Sequence, residues 1–131
     1  MKRRILAIDD DAETLYCLTV ALKTLGYQAI GAQDGAEGLR LARQHQPDLI
    51  LVDLMMPNMD GFEVCRQLRA DPATSETPIA ILSALGSLAD QTAGMELGVS
   101  HYLIKPVSIN KLARVIDELV ATGQAAISAE R

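Results

Sequence analysis

The chain has 131 residues, with 12 Lys and Arg against 17 Asp and Glu, which gives a formal net charge of −5. Hydrophobic residues make up 49% of the sequence, a composition typical of one globular domain that folds without disulfides or a structural metal. The acidic balance argues against nucleic acid or an anionic membrane as a partner, because both would repel most of the surface.

The sequence also bears on the compartment. Its two cysteines, Cys17 and Cys65, do not form a CxxC motif, and we expect them to be buried, reduced thiols of a cytoplasmic protein. The short apolar start is interrupted by three aspartates at positions 9–11, which argues against a secretory signal peptide. No apolar stretch approaches the length needed to span a membrane.

Five short apolar runs predict five β-strands. They lie at residues 5–8, 27–32, 49–52, 79–82 and 102–104. Because these runs are apolar on both faces, we expect a parallel sheet that is covered by helices on each side. The run at 27–32, which reads YQAIGA, has the weakest strand pattern.

Amphipathic stretches follow the runs and predict five helices. The first covers about residues 12–25, and its apolar positions are Cys17, Leu18, Ala21, Leu22 and Leu25. The second ends before Pro47, the third begins after an N-cap at Asp60, and the fourth ends at Gly98. The fifth starts near Ser108 and fades into an alanine-rich tail at Gly123.

This alternation predicts a doubly wound α/β domain over residues 1–122. Residues 123–131 then form a short C-terminal tail, which we expect to be too small for an effector domain. Right-handed crossovers place helices on both faces of such a sheet, and functional residues lie at the carboxyl ends of its strands. The candidate site is therefore sought where the apolar runs end.

Four of the five runs are followed by polar residues that suit a common site, namely Asp9, Asp10, Asp53, Ser83 and Lys105. Three carboxylates in one crevice repel one another, by about 4 kcal/mol per pair at 4 Å and an effective dielectric constant near 20, unless a cation intervenes. Oxygen ligands without nearby His or Cys favour a hard ion such as Mg²⁺. Lys105 would hold a negative group beside that ion, so the positions alone indicate a phosphoryl site.

A purely structural interpretation is open for any one of these residues. An aspartate at a strand end is often only a turn former or a helix N-cap, and we expect Asp11 to be one. Five suitable residues at four separate strand ends weigh against that interpretation for the set as a whole.

A family resemblance is carried by four segments, which read LAIDDD, PDLILVDLMMPNMDG, TPIAILSA and YLIKP. In this order they resemble the receiver domain of two-component response regulators, and the match spans nearly the whole chain. Its most specific part is the third-run segment, in which Asp53 precedes LMMPNMDG. The resemblance implies a flavodoxin-like (βα)5 fold with the strand order 2-1-3-4-5.

The resemblance also implies individual roles. Asp53 is the phosphoacceptor, whose carboxylate takes the phosphoryl group as an acyl phosphate. The implied Mg²⁺ ligands are Asp9, Asp10, Asp53 and the backbone carbonyl of Met55, and Mn²⁺ is an acceptable substitute for Mg²⁺.

Further residues are implied to bind the phosphoryl group and to transmit its arrival. Ser83 and Lys105 contact phosphoryl oxygens, and the Lys105–Pro106 bond is a candidate cis peptide. Ser83 moves toward the phosphoryl group and Tyr102 rotates into the vacated space, so these two are the switch residues. The affected surface comprises the fourth helix, the fifth strand and the fifth helix. From the sequence alone, Tyr102 could equally be an ordinary strand aromatic.

Two departures from the family pattern modify these expectations. Ser100 and His101 stand where receivers that dimerise to bind DNA often carry acidic residues. Lys111 and Arg114 would then lack their expected partners, so we expect a monomer or a weak dimer.

The second departure concerns the phosphate lifetime. Met55 and Leu85, two residues beyond Asp53 and Ser83, are apolar and cannot orient an attacking water by hydrogen bonding. We therefore expect slow self-dephosphorylation.

The implied function is that of a cytoplasmic phosphoacceptor. It would take its phosphoryl group from a sensor histidine kinase or a His-containing phosphotransfer protein and act on a downstream protein, not on nucleic acid or a membrane. It would catalyse its own phosphorylation without being a conventional enzyme, because Asp53 is modified rather than turned over.

Three alternatives stay open. The chain could be a receiver excised from a larger regulator or hybrid kinase, a receiver-like interaction module that is never phosphorylated, or a Mg²⁺-dependent phosphohydrolase. The hydrolase would ordinarily need a second acid where this chain has Met55. The unphosphorylated module usually lacks an acid or the lysine, and both are present here.

Overall fold

The computed structural model describes residues 2–56, 59–84 and 86–129, with side chains described as far as residue 121. Within these residues, five strands alternate with five helices. The strands are β1 (Arg4–Ile8), β2 (Gln28–Ala32), β3 (Leu49–Val52), β4 (Ile79–Ser83) and β5 (His101–Ile104). The helices are α1 (Ala12–Thr24), α2 (Gly35–His45), α3 (Gly61–Ala70), α4 (Leu88–Glu96) and α5 (Ile109–Ala129).

The five strands form one parallel sheet in the spatial order β2-β1-β3-β4-β5, which confirms the expected topology. The three interior strands are buried almost throughout, because apolar side chains fill both faces of the sheet. Helices α1 and α5 cover one face, and α2 and α3 cover the other. All carboxyl ends of the strands therefore meet at one edge of the molecule.

Side-chain caps fix where the helices begin. The carboxylates of Asp11, Asp34 and Asp60 accept main-chain N–H groups in the first turns of α1, α2 and α3. The hydroxyl of Ser87 does the same for α4. Asp60 is the predicted cap of α3, and Asp11 is a cap as expected. Because α1 and α3 follow the strands that end in aspartates, these caps also position the segments around the candidate site.

Two expectations about the outer elements are wrong. Cys17 is exposed, whereas Cys65 is buried as expected. The helical phase of α1 turns Leu15 and Leu22 toward the sheet, which leaves Cys17 on the solvent side. β2 is only partly buried, because it is an edge strand rather than a strand covered on all sides.

Helix α5 continues to Ala129, past Gly123, where we expected it to fade. One glycine inside a helix costs only about 1 kcal/mol relative to alanine, and the alanine-rich segment that follows favours the helix. Among the helices described, none is both long enough and apolar enough to cross a lipid bilayer.

The two thiols should differ sharply in reactivity. Burial raises the pKa of Cys65 to about 12, so that roughly one molecule in ten thousand carries its thiolate at pH 8. Iodoacetamide should therefore modify Cys17 rapidly and Cys65 only after unfolding in urea. Peptide mapping by mass spectrometry measures both rates in one sample. Equal labelling of the two thiols in the native protein would contradict the assigned burial.

Candidate functional site

Three carboxylates converge at the carboxyl edge of the sheet. Asp9 and Asp10 follow β1, and Asp53 follows β3, which is paired with β1 in register. Each of the three offers an oxygen, and these oxygens all lie within 4.8 Å of one another. The main-chain N–H of Asp53 donates to the carbonyl of Ile8 at 3.0 Å, which continues the ladder to the point where the site begins.

The three side chains differ in their exposure. Asp9 and Asp53 retain only 3% and 8% of their accessible surface, whereas Asp10 is exposed. Asp9 Oδ1 accepts the main-chain N–H of Asp11 at 2.9 Å, and Asp53 Oδ1 accepts that of Met55 at 3.2 Å. Each buried carboxylate thus has one oxygen engaged by its own loop, while the other is directed to a different partner.

That partner is the ammonium of Lys105. Its Nζ lies 3.0 Å from Asp9 Oδ2 and 3.7 Å from Asp53 Oδ2. The Lys105–Pro106 peptide bond is cis. A single partly buried cation therefore offsets part of the charge of the two buried carboxylates.

The surroundings of Asp53 shift the pKa of its carboxyl in both directions. Burial is the largest influence and raises the pKa of this carboxyl above its ordinary value, and the charges of Asp9 and Asp10 add to that effect. The N–H of Met55 and the ammonium of Lys105 lower the pKa. A cation bound among the three carboxylates would act in the same direction as Lys105.

Ser83 reaches the same edge from the next strand. It is the last residue of β4 and is fully buried. Its carbonyl accepts the main-chain N–H of Lys105 at 2.8 Å, so the ends of β4 and β5 are held together. The structure thus brings the five residues predicted from strand ends to one edge of the sheet.

The donor set suits a hard divalent cation. It offers two buried carboxylates and one exposed carboxylate, and the described residues place no His or Cys in this cluster. Mg²⁺ binds six oxygen ligands in octahedral geometry and usually keeps several water molecules among them. The solvent-exposed side of this site, at Asp10, leaves room for such water. The residues fit the ion that the sequence predicts.

Of the other predicted residues near Asp53 and on β5, Met55 and Tyr102 fall within the described part of the chain. The side chain of Met55 is 54% exposed beside the site, whereas Leu85 lies outside the described residues. Tyr102 is half-buried on β5. Its ring packs beside Gly94 of α4. The switch role of Tyr102 stays a prediction.

Gly61 is a structural residue whose role the sequence did not reveal. A Cβ at this position would lie 2.5 Å from the carbonyl oxygen of Asp53 and 2.7 Å from Cα of Leu54. Its N–H donates to the Leu54 carbonyl at 3.1 Å. The first turn of α3 therefore packs directly on the backbone of Asp53. The Asp-Gly pair at the start of α3 was the available signal.

Comparisons with known proteins find relatives along nearly the whole chain. The family model described as "Response regulator receiver domain" matches residues 5–117. Protein PilH of Pseudomonas aeruginosa is 38% identical over 118 residues, which cover 90% of this chain and 98% of PilH. The probable transcriptional regulator ycf27 of Guillardia theta is 41% identical over 97% of this chain but only 49% of its own length. The chain thus spans about half of several curated relatives that it matches.

One solved structure bears on the metal. The receiver domain of sensor histidine kinase PA1611 from Pseudomonas aeruginosa has a TM-score of 0.85 and 27% sequence identity. The alignment covers 92% of this chain and 99% of that one. That structure is described as having a magnesium ion coordinated in the active site cleft.

Proposed function

We propose that Asp53 is the phosphoacceptor of this chain, which belongs to the response regulator receiver domains of two-component systems. Receivers are signalling modules that interact with histidine kinases and downstream effectors, and they are not conventional enzymes. One observation carries the assignment. The buried Asp53 carboxylate shares a crevice with two further carboxylates and with the ammonium of Lys105.

The metal would be Mg²⁺, held by Asp9, Asp10, Asp53 and the backbone carbonyl of Met55, with Mn²⁺ as a substitute. When bound, it would supply positive charge that stabilises the phosphoryl oxygens. The oxygen-only donor set supports this choice. So does the magnesium reported for the PA1611 receiver, which shares the fold.

The positions of the side chains support a direct phosphoryl transfer. A carboxylate oxygen of Asp53 attacks the phosphorus of a phosphohistidine on the donor protein, a P–O bond forms, and the P–N bond to the donor imidazole breaks. Lys105 pairs with one phosphoryl oxygen, and the hydroxyl of Ser83 donates to another. The product is an acyl phosphate on Asp53. Each molecule accepts one phosphoryl group, so the chain is modified rather than turned over.

The signal would leave through the surface of α4, β5 and α5. Ser83 and Tyr102 lie on paired strands, with Ser83 opposite Ile104 and Tyr102 opposite Ile81, and the Tyr102 ring packs toward Gly94 of α4. We assign the upstream partner as a sensor histidine kinase or His-containing phosphotransfer protein, and the downstream partner as a protein. Free thiols such as Cys17 and Cys65 favour the reducing cytoplasm as the compartment.

Acetyl phosphate tests the proposal directly. Incubated with Mg²⁺ and this small donor, the chain should gain the mass of one phosphoryl group, and Asp53→Asn should abolish the gain. Asp34→Asn is a matched control, because Asp34 only caps α2. Steady release of inorganic phosphate without a stable adduct would instead indicate a hydrolase. Absence of labelling in a Mg²⁺-binding, folded chain would indicate an unphosphorylated interaction module.

The acyl phosphate should persist unusually long. Met55 lies beside Asp53, its side chain is 54% exposed, and it offers no group that orients water strongly. Met55→Gln should shorten the half-life about tenfold, because an amide can position the attacking water, while Met55→Leu should leave it unchanged. The measurement follows phosphorylated protein after removal of the donor. Loss of phosphate from the unaltered chain within seconds would refute the expectation.

A further inference from the structure

β2 is an edge strand, and its own five residues include no side chain of the kind that usually protects a strand edge. β2 lies at one end of the sheet, and among the described residues no strand pairs with its outer side. Its sequence, QAIGA, contains neither a charged residue nor a proline. Natural proteins usually place such residues on edges, because unpaired peptide groups recruit another strand. This edge is therefore open to pairing.

The register with β1 determines which peptide groups face outward. The N–H of Gln28 donates to the carbonyl of Arg3 at 2.8 Å. In a parallel ladder every second residue bonds to the neighbouring strand, so the N–H and C=O groups of Ala29 and Gly31 point away from β1. Ala29 and Gly31 have small side chains, so neither obstructs the approach of a second strand.

A groove of about 410 Å³ runs beside this edge, between β2 and α1. Ala29 and Gly31 line it on the strand side, and Tyr16, Thr19 and Lys23 line it on the helix side. Tyr16 is 70% exposed, which is unusual for an aromatic side chain of a small monomer. The groove gives a second strand a mixed polar and apolar surface beside the unpaired peptide groups.

The two ends of the edge carry opposite charge. At the Gln28 end, the guanidinium of Arg4 donates to Gln28 Oε1 at 3.2 Å, and Lys23 is in the last turn of α1. At the opposite end, Asp34 caps α2 and Glu13 lies in the first turn of α1. An antiparallel second copy would bring each basic end against an acidic end, whereas a parallel copy would oppose like charges.

We propose that β2 pairs in antiparallel register with β2 of a second copy of this chain, so that two sheets become continuous. The two-fold axis passes at Ile30, and Ala29 exchanges both main-chain hydrogen bonds with Gly31 of the partner subunit. Lys23 meets the partner's Glu13. The dimer is weak, because the ladder is short and each copy has a net charge of −5.

This arrangement is independent of the phosphoryl site. β5 lies at the opposite end of the sheet, so the surface of α4, β5 and α5 stays accessible in the dimer. The proposed dimer therefore does not depend on whether Asp53 is the phosphoacceptor.

Sedimentation velocity over a range of concentrations tests the association, and amide hydrogen exchange locates it. The unphosphorylated chain should dimerise reversibly at high concentration. The amides of Ala29 and Gly31 should gain protection as concentration rises, while those bonded to β1 are protected at every concentration. Lys23→Glu should raise the dissociation constant about tenfold, and adding Glu13→Lys should bring it back toward the original value.

Several outcomes would overturn the proposal. The first is a chain that stays monomeric at every concentration. The second is a dimer in which the concentration-dependent protection from exchange falls on α4 and β5. A double variant Lys23→Glu/Glu13→Lys that dimerises no better than Lys23→Glu also does so, provided that circular dichroism shows both variants folded. Lys111→Glu, an exposed charge change on α5, is the control and should not alter the association.

Discussion

Replacing Lys105 with methionine is expected to strengthen Mg²⁺ binding about tenfold and to slow phosphorylation by acetyl phosphate by roughly 10²-fold to 10³-fold. The two effects have opposite signs because Lys105 acts at two stages. The ammonium lies 3.0 Å from Asp9 Oδ2 and 3.7 Å from Asp53 Oδ2, where it would compete with a metal ion for these oxygens. In the proposed transfer, the same charge would stabilise a phosphoryl oxygen.

The size of the first effect follows from the charges. Removing the ammonium leaves three carboxylates with oxygens within 4.8 Å of one another, and their repulsion is relieved only by a proton or a cation. Lys105 is partly exposed, so solvent reduces the change to about 1.4 kcal/mol, which is a factor of ten. Isothermal titration calorimetry measures the Mg²⁺ affinity, and intact-mass kinetics measure the phosphorylation rate.

Two control variants separate this result from a loss of folding. Lys111→Met removes an exposed lysine from α5 and should change neither quantity. Lys105→Arg keeps the charge and should leave Mg²⁺ affinity near that of the unaltered chain. If Lys105→Met binds Mg²⁺ equally or more weakly while remaining folded, Lys105 is not the competitor of the metal.

The topology and the composition of the site could be predicted because both depend on simple rules. Strands β1, β3 and β4 are short and apolar on both faces, and only a sheet covered by helices buries such segments. Once the sheet is parallel, residues that follow the strands must share one edge. Asp9 and Asp53 are neighbours for that reason, since β1 and β3 pair directly.

Two kinds of feature could not be predicted from the sequence: which side of a helix faces the sheet, and how closely two backbone segments pack. Helix α1 has apolar residues on several sides, and the sequence pattern placed Cys17 on the inward face, whereas the structure buries Leu15 there and exposes Cys17. The approach of Gly61 to the Asp53 carbonyl depends on how α3 docks, which no periodicity encodes. The hydrogen bonds of Arg69 to four loop carbonyls likewise exist only after the chain has folded.

Replacing Arg69 with methionine should destabilise the fold by about 2 to 4 kcal/mol and lower Tm by about 10 °C. The guanidinium of Arg69, at the end of α3, donates to four main-chain carbonyls. Their oxygens lie at 3.3 Å (Thr74), 3.1 Å (Ser75), 2.8 Å (Thr77) and 2.9 Å (Gly98). Burial lowers the pKa of Arg69, but the charged form is retained because its ordinary pKa is far above neutrality.

The cost is large because methionine fills the space without replacing any donor. A partly buried carbonyl that loses its donor costs about 1 to 3 kcal/mol. The cost is smaller where water can reach the oxygen or where a second donor remains, as at Thr74, whose carbonyl also accepts the main-chain N–H of Thr77 at 3.1 Å. Arg69→Lys should be intermediate, since one ammonium cannot reach four acceptors on two separate segments. Arg69 thus links the loop between α3 and β4 to the turn before β5.

Arg66→Met provides the matched control, because Arg66 lies one turn earlier on α3 and pairs only at the surface with Glu63. It should change stability by less than about 0.5 kcal/mol. Thermal and urea unfolding give the free energies, and hydrogen exchange should show faster opening in residues 71–78 and 97–100 for Arg69→Met alone.

Equal stability of the two variants would mean that the four carbonyls find other donors. The turn that contains Gly98 leads into β5 and Tyr102. Loss of the Arg69 hydrogen bond to Gly98 should therefore also speed hydrogen exchange at the surface of α4 and β5.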